Sequence, residues 1–177
     1  MIRKATINDI KPIHALLKHY GDKGVLLARP LSKLYDHVRD FLVYVEPGVE
    51  PGVDPKDKDG DKNIIGFCAL QFCWEDLAEI RSLAIREDYF GQTIGTQLVK
   101  AAFEEAQKYK IKKIFTLTYQ PEFFKKFGFT QIDKSNLPIK IWADCILCVK
   151  FPDCDETAML KKQTVSQDSA LGTSGTT

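Results

Sequence analysis

No apolar run in the 177 residues approaches the roughly 20 consecutive residues that a membrane-spanning helix requires. The opening MIRKATINDIK is broken by charge from its third residue, so neither a signal peptide nor a membrane anchor is expected there. Neither sign of charge is in excess. The 25 Lys and Arg nearly balance the 24 Asp and Glu, which argues against a nucleic-acid partner and against disorder throughout. Histidine is scarce, and His14, His19 and His37 are too scattered for a metal site. The five cysteines, with no export signal beside them, read as reduced thiols in a cytoplasmic protein.

What is present suits one domain with a tail. The chain is 44% apolar and 28% charged, enough for a core and ordinary for a soluble protein. Ile2 to Ala5 reads as a short strand, and Thr6 with Asp9 as a capping pair. Ile10, Ile13, Leu17 and Tyr20 recur at helical spacing, with Gly21 as a stop. Ser32 is placed to cap a second helix with Leu34, Val38, Phe41 and Leu42 on one face, and 41–46 turns β-rich at its end. The Pro- and Gly-rich block 46–63 predicts an exposed, mobile loop.

IIGFCALQFCW (64–74) and DLAEIRSLAI (76–85) predict an antiparallel strand pair. A helix follows from about Thr93 to Lys108, burying Ile94, Leu98, Val99, Ala102, Phe103 and Ala106. KIFTLT (113–118) is a β-rich run, PEFFKKFG (121–128) a short helix, and FTQID (129–133) a strand. A last strand is expected near 145–151. These elements define a domain over 1–151 and an extension over 152–177, disordered from about residue 163. The order β-α-α-β-β-β-α-β-α-β places one helix as a crossover between two parallel strands, with hairpins supplying the rest.

The sharpest local feature is strand, glycine-bearing turn and helix over SLAI, REDYFGQTIG and TQLVKAAF. Gly91 and Gly95 let backbone N–H groups approach a ligand, and the helix N-terminus adds positive potential at the same point. That combination suits a pyrophosphate. A merely tight turn is the alternative reading of the same glycines.

With these motifs in order, the chain resembles the GNAT acetyltransferase superfamily from residue 1 to about 134. The family's coenzyme A loop, Q/R-x-x-G-x-G/A, aligns with Phe90-Gly91-Gln92-Thr93-Ile94-Gly95. Phe90 stands where Arg or Gln is usual, and Thr93 where Gly is usual. FFKKFGF (123–129) is similar to the family's late signature. A closer resemblance, through GVLLARPLSKLYDHVRDF (24–41), DLAEIRSLAI and FFKKFGFTQID, is to the acetyltransferase domain of bacterial N-acetylglutamate synthases and its short stand-alone forms. Nothing in the sequence corresponds to the kinase-like domain of the long forms. The resemblance implies an α/β fold. Its mixed, mostly antiparallel sheet would be splayed at the coenzyme site and flanked by helices.

It further implies an acyltransferase that moves acetyl from acetyl-CoA to the α-amine of an amino acid. Glutamate is the expected acceptor, as in the first step of arginine biosynthesis, with glutamine as a second. Leu83, Ala84, Ile85, Phe90, Gly91, Gln92, Thr93, Ile94, Gly95 and Thr96 are the implied coenzyme contacts, with a Leu83 backbone donor on the thioester oxygen. Glu79 is the implied general base, against a bland reading as an outward, solvated strand residue. The superfamily's Tyr acid aligns with Phe124, so Tyr119 is the stand-in acid, with packing as its alternative role.

Arg29 is the implied carboxylate clamp, Arg81 a second candidate or a structural partner of Glu79 or Asp76. Gln120 stands in the region where the long synthases carry an arginine, and Asp76 near the place of one of their lysines. Cys145, Cys148 and Cys154 have a metal-like spacing but lack a fourth ligand, so no metal is expected and ordinary thiols are the reading. Direct transfer is favoured over a covalent acyl-cysteine. Partner expectations are a small-molecule amino acid, no nucleic acid and no membrane, with a homodimer allowed. The rival functions are acetylation of another amine (a protein lysine, a polyamine or a small metabolite) and a weakly active acyl-CoA-binding regulatory module.

Overall fold

The computed structural model describes residues 1–46, 64–138, 141, 145–146, 150 and 152–164. The loop expected over 46–63 lies almost wholly outside the described residues, as does the tail from 165. Seven strands form one mixed sheet in the order β1-β2-β3-β4-β5-β7-β6. They are β1 (Ile2–Lys4), β2 (Phe41–Val45), β3 (Ile64–Trp74), β4 (Leu77–Ile85), β5 (Lys113–Thr118), β6 (Thr130–Gln131) and β7 (Thr157–Lys162). Among the described residues only β4 and β5 pair in parallel, and helix α3 (Ile94–Lys108) makes the crossover between them.

Helices cover both faces of this sheet. The stripe Ile94, Leu98, Val99, Ala102 and Ala106 of α3 packs on Leu42, Cys68, Leu70, Ala78, Ile80 and Ile114, joined by Phe124 of α4 (Pro121–Lys125). On the opposite face, α1 (Ile10–Asp22) and α2 (Leu31–Asp36) bury Ile10, Ile13, Leu17, Tyr20 and Leu34 against Phe41, Val43, Phe67, Ala69 and Ala84. A third cluster, on the same face as α1, joins Leu77, Phe115 and Ala158 to Leu137 and Ile141. Each fully buried Leu or Phe side chain contributes about 1.5–3 kcal/mol of transfer free energy, so these clusters fix which strand face is which.

Three expectations are corrected. The second helix ends at Asp36, and Phe41 and Leu42 begin strand β2. Their side chains alternate to opposite faces rather than sharing a helical one, because the cross-strand partner Ala69 of Phe41 lies with α1 while Leu42 lies with α3. Pro30, not Ser32, precedes that helix. The last strand is Thr157–Lys162 rather than 145–151, where Cys145 and Ile146 are helical. The stretch expected to be an extension thus supplies a strand that fills the sheet between β5 and β6. In addition, α1 runs through Gly21 to Asp22. A Cβ at Gly21 would stand only 3.0 Å from the Ala28 Cβ, so glycine there lets the loop after α1 fold back onto the helix.

Candidate active site

Two features of β4 open the sheet. Its rungs to β5 stop at Glu79↔Phe115, although β4 continues to Ile85 and β5 to Thr118. The two parallel strands therefore diverge after Glu79, while β5 stays paired to β7 through Thr118↔Thr157. Between the pairs Ala69↔Arg81 and Phe67↔Ala84, β4 carries one residue more than β3, and Ser82 there has φ 55°. This bulge shifts the alternation by one. Ile80 faces α3 before it, Leu83 and Ile85 face α3 after it, and Ala84 faces α1.

A cleft of about 610 Å³ occupies the gap, within the usual ~300–1,000 Å³ of small-molecule sites. Its floor is the free edge of β4, Ile80 to Ile85, with Thr116 to Gln120 opposite. One end is closed by Tyr89 to Thr96, the turn that enters α3. Gly91 at φ 80° and Thr93 at φ 59° alternate with ordinary residues, a backbone path that turns successive N–H groups toward one point. Those donors and the α3 N-terminus fit a phosphate-bearing ligand. A Cβ built on Gly95 would meet the Phe123 ring at 3.5 Å, an ordinary contact. Phe90, 60% exposed, stands at the rim.

The cleft is also lined by Tyr20, Val25 and Leu26 from α1 and the loop after it, and by Tyr119, Gln120 and Glu156. Arg81, Leu83, Ala84, Ile85, Phe90 to Thr96, Tyr119 and Gln120 are thus brought to one cavity. Glu79 and Arg29 are not among the residues that line it. Glu79 is buried on the same strand face as Arg81, whose Nη1 lies 3.6 Å from Glu79 Oε2. Arg29 is half-buried in the loop that supplies Val25 and Leu26, with no ion-pair partner among the described residues.

Tyr119 does not stand free. Its hydroxyl donates to Asp155 Oδ1 at 2.7 Å and accepts from Lys150 Nζ, which also lies 4.4 Å from the ring centroid. Burial pushes the Tyr119 hydroxyl up and Asp155 pushes it the same way, against Lys150. Phe124, at the aligned acid position, is buried where the core meets the cleft and has no proton to give.

Sequence reasoning missed three contributors. Tyr20 reads as an apolar helical position, yet its hydroxyl donates to the Ile85 carbonyl and ties α1 to the end of β4. Lys150 and Glu156 lie in a stretch without legible periodicity, and only the pairing of β7 with β5 brings Glu156 beside Tyr119. No local signal marks either.

Burial pushes the Cys68 thiol up to about 12, and its Sγ donates to the Leu98 carbonyl at 3.6 Å, so it offers no thiolate. Cys148 lies outside the described residues. Among the described residues, no three His, Cys, Asp or Glu side chains gather as a metal would need. No helix there is long and apolar enough to cross a membrane.

A family model described as an acetyltransferase (GNAT) domain matches residues 57–131. An N-acetyltransferase of Chlorobaculum tepidum is 35% identical over 160 residues, which are 90% of this chain and 94% of that one. The chain belongs to the GNAT acetyltransferases. Enzymes of this family use acetyl-CoA as acetyl donor.

An amino-acid acetyltransferase of Mycobacterium tuberculosis is 30% identical over 80% of this GNAT chain and 75% of its own. In fold, the chain matches a Mycobacterium tuberculosis protein solved in complex with CoA, at TM-score 0.73 and 25% identity, over 93% of this chain and 99% of that one. It also matches N-acetylglutamate synthase from Neisseria gonorrhoeae, complexed with coenzyme A and N-acetyl-glutamate, at TM-score 0.77. That second likeness, at 23% identity, concerns the fold, and this chain spans 35% of the synthase's length.

Proposed function

We propose that this GNAT enzyme acetylates the α-amine of a free amino acid, with glutamate the foremost acceptor and glutamine the second. The observation that carries the reading is the mixed lining of the cleft, in which the turn into α3 and the β4 edge without β5 rungs among the described residues meet the polar side chains of Arg81, Tyr119, Gln120 and Glu156. The relatives named as amino-acid acetyltransferases supply the substrate class.

In this reading the phosphates rest on the N–H groups of residues 91–96. The pantetheine arm runs along Leu83 to Ile85 as an added strand, since that edge of β4 lacks a strand partner beyond Glu79 among the described residues. The bulge at Ser82 frees the Leu83 N–H to polarise the thioester carbonyl. Glu79, directly or through water, takes a proton from the amine as it attacks. Tyr119, held by Lys150 and Asp155, orients the departing sulfur, with water completing its protonation. Transfer is direct.

Arg29 and Arg81 supply the cations for the amino acid's carboxylate groups. Gln120 offers an amide to a side-chain carboxylate or amide. Replacing Arg29 tests this arrangement. Arg29→Ala should raise KM for the amino acid by roughly 10- to 100-fold, the loss of a charge-assisted pair of about 1.5–3 kcal/mol, and leave acetyl-CoA affinity unchanged. An unaltered KM would remove Arg29 from the acceptor site.

A further inference from the structure

An α-amino acid reaches an enzyme at neutral pH as an ammonium ion, and a nitrogen that carries three protons has no lone pair with which to attack. Two protons must leave it. One is lost before attack, and the other as the tetrahedral intermediate forms and collapses. The balanced reaction converts ammonium and thioester to amide, thiol and one proton released to solvent. The C–N bond forms, the C–S bond breaks, and the thiolate takes up one of the two protons. Glu79 accounts for one of these removals. The proposed function leaves the other without a base.

Glu156 is the second carboxylate placed for it. It precedes β7 directly, and the register Thr118↔Thr157 sets it beside Tyr119 on the β5 side of the gap. It lines the cleft, half-buried, where Glu79 does not. Alternation along β7 puts Glu156 on the face of Ala158, and that face carries Leu77 and Phe115 and hence Glu79. The two carboxylates therefore flank the splay on the side away from α3, Glu79 on β4 and Glu156 just before β7 on the β5 side, where an acceptor would meet a thioester lying along β4.

The groups around Glu156 are defined. Cys154 Sγ donates to its Oε2 at 3.8 Å. Lys150 and Lys134 lie near enough to favour its charged form, Asp155 acts against it, and the Tyr119 hydroxyl neighbours it. Burial outweighs the two lysines and leaves the carboxyl above its ordinary value. A base so shifted is a better match for an ammonium proton than a free carboxylate. Its partial exposure lets it return the proton to water.

We propose that Glu156 binds the acceptor's ammonium group in the cleft and removes its first proton, leaving the second to Glu79. The inference rests on the amino-acid reading above. The test compares full-length wild type, Glu156→Gln and Glu156→Asp with acetyl-CoA and glutamate or glutamine across pH, and measures acetyl-CoA affinity by calorimetry. Glu156→Gln should lose about 100-fold in kcat/KM for the amino acid at neutral pH. The loss should shrink at alkaline pH, where free amine is already present, and acetyl-CoA affinity should hold. Glu156→Asp should recover part of the rate.

A Glu156→Gln enzyme with the wild-type pH profile overturns this role and leaves the function standing. A uniform loss at every pH overturns it too, since a merely structural carboxylate would behave that way. A wild type that acetylates no free amino acid overturns the function and this inference together.

Discussion

Thr93 holds a left-handed backbone conformation, φ 59°, at the loop position where the GNAT pattern has glycine. The departure that looks like a defect in the sequence is thus accommodated by strain, of the order of 1–2 kcal/mol for a residue with a Cβ. Thr93→Gly should raise the melting temperature and keep acetyl-CoA affinity, because the N–H groups stay in place. Lower stability in that variant would mean that the threonine side chain is itself needed.

Glu79 is the residue proposed as the general base. Glu79→Gln should depress kcat by about 100-fold at neutral pH, with the deficit easing in alkali. Full activity at pH 7 would exclude it as a base. Its strand and its alternation with Arg81 were legible in EIRSLAI. Its burial and its 3.6 Å approach to the guanidinium were not, since they depend on what covers that face. The fate of Tyr119 was equally hidden, because its partners lie 31 and 36 residues further along the chain.

At the scale of elements, legibility followed locality. β3, β4, α3, β5 and α4 stand where periodicity and glycine–proline punctuation placed them, since each signal is contained within its own segment. The second helix was overextended because leucine and valine spacing cannot distinguish a helix face from a helix that yields to a strand. Strand β7, TAMLKK, has weak β character, and only its long-range pairing with β5 makes it a strand. With it came Glu156.

One small junction was readable in its capping pair, though not in the arginine that joins it. The capping pair of Thr6 and Asp9 joins β1 to α1, and Arg3 adds two bonds to the Asp9 carboxylate at 2.7 and 2.9 Å. Burial alone would raise this carboxyl, but Arg3 and the Thr6 donors outweigh it and hold it below its ordinary value. A lowered folded value gives stability that is present above the unfolded carboxyl's pKa of ~4 and lost as pH falls through the folded one. Asp9→Ala should cost about 1–3 kcal/mol at neutral pH. In denaturant titrations the difference from wild type should be constant above pH 5 and narrow in acid. A gap that does not narrow at all as the solution is made acid would contradict the assignment.

For the whole molecule, the fold and the enzyme family are settled by the sheet and the relatives, whereas the proposed acceptor rests on the polar lining of the cleft. That lining mixes Arg81, Gln120, Tyr119 and Glu156 and thus addresses both charges of a zwitterion. A protein lysine would bring the amine without a carboxylate beside it, leaving Arg29 without an anion to bind. The direct measurement is kcat/KM with acetyl-CoA for each free amino acid and for a lysine-containing peptide, with the product's acetylated nitrogen identified by mass spectrometry. The expected result is α-N-acetylation of glutamate, with glutamine next and the peptide far behind. Preference for the peptide, or turnover of no free amino acid, would contradict it and leave a GNAT enzyme with a different acceptor.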